Sequence, residues 1–205
     1  MAPIIQKSKN THHLQFVNRW ASKVVNINEV FVQKFTHFKG EKILFLDRDG
    51  TLNQDKGYVH KKTDLEILPG VIDFLVRATK LGFGMVLATN QGGAALGKYS
   101  IEESLEFNSA IASEFSQNNI ILSAAYICFH HPLSSDPKKR DCSCRKPKPG
   151  MLTKALLDCR IGSDRALMIG DQETDAQAAA SAAIKFQKVG SRELWVMAAT
   201  QLEEF

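Results

Sequence analysis

Two carboxylates stand one residue apart in Lys42-Ile-Leu-Phe-Leu-Asp47-Arg-Asp49-Gly50-Thr51-Leu52, directly behind a short apolar run. Alternation in an extended backbone points Asp47 and Asp49 to the same side. Carboxylates that close repel, unless a cation lies between them or one is protonated. A hard cation such as Mg²⁺ resolves the conflict, because it prefers oxygen ligands and leaves positions for phosphate oxygens. The same residues also suit a strand running into a solvated Asp-Gly turn.

Three further stretches carry groups of the same kind. Thr89-Asn90-Gln91-Gly92-Gly93 follows an apolar run and offers hydroxyl, amide and backbone donors to an anion. It is equally an ordinary loop. Arg145 and Lys146 are adjacent cations, the first able to grip a phosphate or carboxylate bidentately and the second a point charge. Gly170-Asp171 ends another apolar run.

Cysteines form the fourth constellation. Cys128-Phe-His130 and Cys142-Ser-Cys144 are separated by eleven residues that follow neither a helical nor a strand pattern. Three thiolates and one imidazole make a closed tetrahedral set suited to structural zinc. The Cys-x-His spacing favours His130 over His131 as the ligand. Disulfides and free buried thiols are the competing readings, and a reducing compartment disfavours the first. A metal there would tie down a loose loop and hold Arg145 and Lys146 in place. Cys159, alone on an apolar helix face, reads as a small core residue.

The elements that must position these groups alternate. Apolar runs at Ile43–Leu46, Phe83–Ala88, Ile120–Ile127 and Ala166–Ile169 read as buried parallel strands. Helices are expected from Pro69-Gly70 through Leu81, from the Ser100/Glu103 capping box to about Gln117, from Pro149-Gly150 to Cys159, and from Thr174 to Ala183. A short strand at Lys185–Val189 and a terminal helix finish the chain. Such alternation predicts an α/β fold, a doubly wound (Rossmann-like) parallel sheet with carboxylates at strand ends, where such sheets bind ligands. Ahead of it, residues 1–10 read as a tail. Apolar positions Leu14, Val17, Ala21, Val24, Phe31, Phe35 and Phe38 then recur at helical spacing, with a strand at Val30–Val32 as an alternative. The expected division is a helical N-terminal extension over 1–40 and a catalytic domain over 41–205.

The chain has 205 residues, 44% hydrophobic and 23% charged, enough for one domain with a sizeable core. Residues 1–40 carry a charge of +5 and the remainder −1, so the body is near neutral and an extended nucleic-acid surface is not expected there. No apolar run is long enough to cross a bilayer and no signal-peptide pattern opens the chain, so a cytoplasmic protein is expected.

Taken together, these segments resemble the haloacid dehalogenase superfamily of phosphatases. Asp47-x-Asp49-Gly50-Thr51 is similar to its first motif, Thr89 to its second, Lys146 to its third and Gly170-Asp171 to its fourth, over about residues 42–190. The zinc loop resembles the branch holding the histidinol-phosphate and D-glycero-D-manno-heptose 1,7-bisphosphate phosphatases. Asp55-x-Gly57-Tyr58-Val59-His60, Gly97-Lys98-Tyr99 and the Cys-Arg-Lys-Pro-x-Pro-Gly-Met run favour the heptose members. The chain departs from them at Gly92, Leu96 and Gln172, where Ser, Arg and Lys are usual.

The resemblance implies covalent phosphoryl transfer. Asp47 is the implied nucleophile, Asp49 the general acid and base, and Thr89 and Lys146 the stabilisers of the phosphoryl oxygens. It implies Mg²⁺ held by Asp47, the Asp49 carbonyl and Asp171, with Asp175 positioning the last motif. Structural Zn²⁺ is expected on Cys128, His130, Cys142 and Cys144. Substrate contacts are implied at Asp55, Gly57, Tyr58, Asn90, Gln91 and Arg145, in an open site with a minimal cap. The expected substrate is a small phosphorylated sugar, with no membrane or nucleic-acid partner. The chain is expected to be a monomer, or a weak dimer through the N-terminal segment. Histidinol phosphate, a polynucleotide 3′-phosphate end and a non-enzymatic zinc-stapled interaction domain are the rival readings.

Overall fold

The computed structural model describes residues 30–203 and 205. Four apolar runs become the buried middle of a sheet: β2 (Lys42–Leu46), β3 (Phe83–Asn90), β4 (Leu122–Cys128) and β5 (Ala166–Gly170). The outer strands are β1 (Phe31–Lys34) and β6 (Lys185–Lys188), and the spatial order is β1-β4-β3-β2-β5-β6. Strands β2 to β6 run parallel, with Ile43 opposite both Gly84 and Ala166.

Alternation along β2 divides the interior into two cores. Leu44 and Leu46 join one with helices α1 (Val71–Lys80), α2 (Ile101–Gln117) and α5 (Arg192–Gln201), through Phe74, Phe107 and Trp195. Ile43 and Phe45 join the other with α3 (Gly150–Cys159) and α4 (Glu173–Ser181), through Met151, Leu152 and Ala178. A strand clothed on both faces must be apolar throughout, which is why these runs show no polar alternation. The capping box at the start of α2 forms as its sequence requires: the Ser100 hydroxyl accepts from Glu103 N–H and the Glu103 carboxylate from Ser100 N–H.

From β2 the chain moves to β3 and β4 on one side, then crosses back to β5 and β6 on the other. The carboxyl ends of β2 and β5 therefore flank the point where the winding reverses, the place where open α/β sheets bind ligands. Asp47 follows β2 and Asp171 follows β5.

The N-terminal boundary differs from the expected one. Residues 31–34, read as part of a helical stripe with a strand at Val30–Val32 as the alternative, form an antiparallel edge strand with Phe31 opposite Ile127 and Lys34 opposite Ala124. The sheet is thus not wholly parallel, and the domain begins before residue 41. Phe31 packs edge-on against Phe129, with centroids 5.4 Å apart. Phe38 presses so closely on Gly84 that a Cβ there would come within 2.3 Å of its ring. Strand pairing and these ring contacts override the helical spacing locally. The part of the expected helical stripe that falls on residues 11–29 lies outside the described residues. Among the described residues no helix is long and apolar enough to cross a membrane.

Candidate active site

Asp47 is the first residue beyond β2, and its N–H donates to the Ile169 carbonyl of β5, so backbone pairing fixes where its carboxylate emerges. Lys146 Nζ lies 2.5 Å from Asp47 Oδ1 and 2.5 Å from Asp175 Oδ1. The second contact is Coulombic, since that oxygen of Asp175 has no aligned hydrogen-bond donor. Carboxylate oxygens of Asp47, Asp171 and Asp175 lie within 4.8 Å of one another. Asp171 reaches this cluster past Gly50 (φ +81°), where a Cβ would stand 2.6 Å from its Oδ2. Thr51 donates to Asp171 Oδ1 at 2.9 Å and the Gln172 amide donates to Oδ2.

Three carboxylates thus face one ammonium. Burial pushes the Asp47 carboxyl up to about 7; Lys146 pulls it down, while Asp175 and Asp49 add to the rise. For Lys146, burial works against the charge but Asp47 and Asp175 outweigh it, holding the amine above its usual range. Both partners shift upward, which for an ion pair is contradictory on its face. The excess of carboxylates resolves it: Lys146 stays cationic, and the surplus negative charge is relieved at Asp47, whose carboxyl holds its proton more tightly. A divalent cation between Asp47 and Asp171 fits this donor set, being hard oxygen with uncompensated charge. Asp175 is less available, because its Oδ2 accepts the Gln172 N–H at the start of α4.

Asp49 lines the same cavity as Asp47 but has its own cation. Arg48 contacts both of its oxygens, Asn53 donates to Oδ1 at 3.0 Å and Gln91 to Oδ2 at 2.8 Å. Gln91 also donates to Thr89 Oγ1 at 2.9 Å. That leaves the Thr89 proton free to point at an anion. Asn90 clamps the Lys146 backbone from both directions, donating to its carbonyl and accepting its N–H at 3.1 and 3.0 Å. The side chains of Asn90 and Gln91, expected to meet substrate, therefore serve the frame, while both residues still line the cavity.

The cavity holds about 370 Å³ and opens between the sheet end, the Asp55–Tyr58 loop and the cysteine loop. In the first loop, Asp55 Oδ1 accepts the Gly57 N–H at 2.8 Å, and Gly57 and Tyr58 both take positive φ. Tyr58 is 49% exposed, and Lys98 sits over its ring at 5.8 Å.

The cysteine loop brings Cys128, His130, Cys142 and Cys144 together, all buried, with ligand atoms within 4.8 Å. His130 Nδ1 lies 3.5 Å from Cys128 Sγ and 3.4 Å from Cys144 Sγ, and the Cys128 and Cys142 sulfurs are 3.7 Å apart. Sulfurs around a tetrahedral zinc would stand about 3.8 Å apart, given Zn–S near 2.3 Å, so the set fits. No disulfide forms among these cysteines. A hydrogen bond with Cys128 and burial push the Cys142 thiol above its ordinary range, a cost that binding a metal as thiolate would remove. Arg145 is tied to this cluster twice: its N–H reaches Cys142 Sγ at 3.3 Å and its guanidinium donates to the His130 carbonyl at 3.1 Å.

Sequence reasoning brought Asp47, Asp49, Thr89, Lys146, Asp171, Asp55, Gly57, Tyr58 and Arg145 to this place, and all but Asp171 line the one cavity. It overlooked Arg48, whose buried partners come from Val59, Gln91 and Asn108. It also overlooked His131, which lines the cavity beside Arg145.

A family model described as a hydrolase, haloacid dehalogenase-like hydrolase, matches residues 2–183. The chain belongs to that family. The match begins well ahead of the span 42–190 over which the motifs are recognised. Among curated relatives, the D-glycero-beta-D-manno-heptose-1,7-bisphosphate 7-phosphatase of Haemophilus influenzae is 40% identical over 144 residues, covering 70% of this chain and 78% of the relative. That of Photorhabdus laumondii is 40% identical over 147 residues, covering 71% and 78%. The D,D-heptose 1,7-bisphosphate phosphatase of B. bronchiseptica, solved with magnesium and phosphate, superposes with a TM-score of 0.67 at 27% identity, over 80% of this chain and 98% of that one. A Mesorhizobium loti structure shares the fold, with a TM-score of 0.77 at 22% identity, over 86% and 94%.

Proposed function

We propose that this haloacid dehalogenase-like hydrolase is a phosphatase that removes the 7-phosphate of D-glycero-D-manno-heptose 1,7-bisphosphate through an aspartyl-phosphate on Asp47. The observation that carries the reading is the junction of two features in one cavity. Asp47 and Lys146 stand at the sheet end, and Arg145 is aimed into the same space by the cysteine loop. The first pair suits phosphoryl transfer; the second cation suits a substrate with another anionic group. The names of the curated relatives supply the sugar.

In the first step an Asp47 carboxylate oxygen attacks phosphorus, the bond from phosphorus to the sugar oxygen breaks, and Asp49 gives that oxygen its proton. In the second, Asp49 takes a proton from water, whose oxygen attacks phosphorus and frees Asp47 and inorganic phosphate. Lys146 and the Thr89 hydroxyl balance the charge on the phosphoryl oxygens. Mg²⁺ would be held by Asp47, the Asp49 carbonyl and Asp171, where it supplies positive charge that aligns nucleophile and phosphate. Asp55, Gly57, Tyr58 and Arg145 hold the rest of the sugar. Zn²⁺ would be held by Cys128, His130 through Nδ1, Cys142 and Cys144, and would fix Arg145 and Lys146 in place.

Phosphate release measured over both anomers of the heptose 1,7-bisphosphate, other sugar bisphosphates, histidinol phosphate and 3′-phosphate oligonucleotides tests the substrate. The heptose bisphosphate should lead. Preference of tenfold or more for histidinol phosphate or the oligonucleotide over every sugar bisphosphate would overturn it.

A further inference from the structure

Arg48 is a fully buried cation directly beyond β2. Its Nε lies 3.1 Å from each oxygen of Asp49 and its NH2 lies 2.9 Å from Oδ2. NH2 also reaches the Val59 carbonyl and Gln91 Oε1, both at 2.8 Å, and NH1 reaches Asn108 Oδ1 at 3.1 Å. The guanidinium lies over the Phe107 ring at 4.6 Å. An arginine withdrawn from water is held only where its donors are met, and here the fork binds Asp49 itself and Gln91, which also grips Asp49. Gln91 donates to the same carboxylate, Asn108 on α2 anchors the far side of the fork, and Val59 sits inside the Asp55–His60 loop next to Tyr58.

We propose that Arg48 is the positioning residue for Asp49 and that, through the Val59 carbonyl, it couples the seating of the substrate loop to the proton-transfer steps. The carboxylate that must first give a proton and then take one is held in plane by a rigid fork, with Asn53 and Gln91 completing the grip. Misplacing a reacting group by about 1 Å can cost on the order of 100-fold in rate. Arg48 touches neither phosphate nor leaving group, so its effect falls on the steps Asp49 serves and spares the attack by Asp47. This rests on the covalent mechanism proposed above.

The two half-reactions separate with p-nitrophenyl phosphate, whose phenolate leaves without needing a proton. In rapid-mixing experiments on the full chain with Mg²⁺, Arg48→Lys should release a burst of about one phenolate per chain. Its rate should stay within about threefold of wild type, followed by turnover slowed at least tenfold, because Asp49 must still activate water. Acid-quenched variant should then hold more covalent phosphate than wild type. On a sugar phosphate, whose alkoxide needs the proton, the first step should slow as well. If burst and turnover fall in equal proportion, or neither changes, the proposal is wrong and Arg48 serves stability alone. Should Arg48→Lys fail to fold, Asn108→Ala is read by the same burst, with the same pattern at a smaller amplitude required. Wild type that never carries covalent phosphate would instead bring down the underlying mechanism, and this proposal with it.

Discussion

Lys146 Nζ lies 2.5 Å from Asp47 Oδ1, and both side chains are withdrawn from solvent. The pair joins the first strand of the parallel sheet to the end of the cysteine loop, with Asp175 as a third member. Removing one partner from a buried ionic cluster leaves uncompensated charge and typically costs about 3–5 kcal/mol. Lys146→Met should therefore lose roughly that much stability in urea denaturation. It should also lose about 10²–10³-fold in turnover, the range for removing one group that stabilises developing negative charge. Wild-type stability in the variant would mean that Lys146 is held without being needed.

A pH prediction follows from the same cluster. Burial holds the Asp47 carboxyl at about 7, above its ordinary value, so the folded chain without metal keeps a proton that the unfolded chain has released. This group's stabilisation is complete at low pH, below the unfolded carboxylate range, and is lost as pH rises through about 7. Mg²⁺ binds the ionised form, so its stabilising effect must grow as the proton leaves. The Mg²⁺-induced rise in Tm should be larger at about pH 8 than at about pH 5, and Asp47→Asn should abolish most of the difference. An increment equal at both pH values would show that Asp47 does not ligate the ion.

The cysteine cluster predicts one zinc per chain on Cys128, His130, Cys142 and Cys144. Cys142→Ser should lower zinc content. It should also reduce turnover indirectly, because the Cys142 sulfur accepts from the Arg145 N–H and the cluster seats the guanidinium. Elemental analysis of protein purified without chelators checks the first half, and kcat/KM on a sugar bisphosphate the second. Zinc-free protein with three freely titratable thiols at 128, 142 and 144 would refute it.

Much of this architecture was legible because local and tertiary signals agree. The runs beginning at Ile43, Phe83, Ile120 and Ala166 are apolar on both faces and become central strands, and the Ser100–Glu103 box starts α2 where its chemistry requires. The strand at Phe31–Lys34 is legible only as an alternative at Val30–Val32, because its periodicity continues a helical stripe and its identity comes from pairing with Tyr126 and Ile127, far along the chain. The site divides the same way. Asp47 and Asp171 announce themselves by type and by position at strand ends. Arg48 does not: beside two aspartates it reads as a surface charge, and its burial depends on Val59, Gln91 and Asn108 arriving from three other segments. Asn90 and Gln91 line the cavity, and the contacts of their amides with Lys146 and Asp49 arise from segments distant in sequence.

Gln172 gives the last prediction. It stands where the resemblance to the heptose phosphatases leads one to expect Lys, lines the cavity, and donates to Asp171 Oδ2. A neutral amide satisfies that oxygen but offers no charge to a second phosphate. One charge-assisted hydrogen bond contributes roughly 1.5–3 kcal/mol, or about 10- to 150-fold in binding. Gln172→Lys should accordingly raise kcat/KM for the heptose 1,7-bisphosphate by up to about that factor, and by distinctly less for a heptose monophosphate. The new ammonium would also pair with Asp171, so half-maximal activity should require more Mg²⁺ than in wild type. Equal gains on the two sugars would mean that residue 172 acts on the shared phosphate and not on the second one. A loss on both, with Mg²⁺ affinity unchanged, would show that the amide is needed for holding Asp171 and that charge at this position confers no preference among phosphosugars.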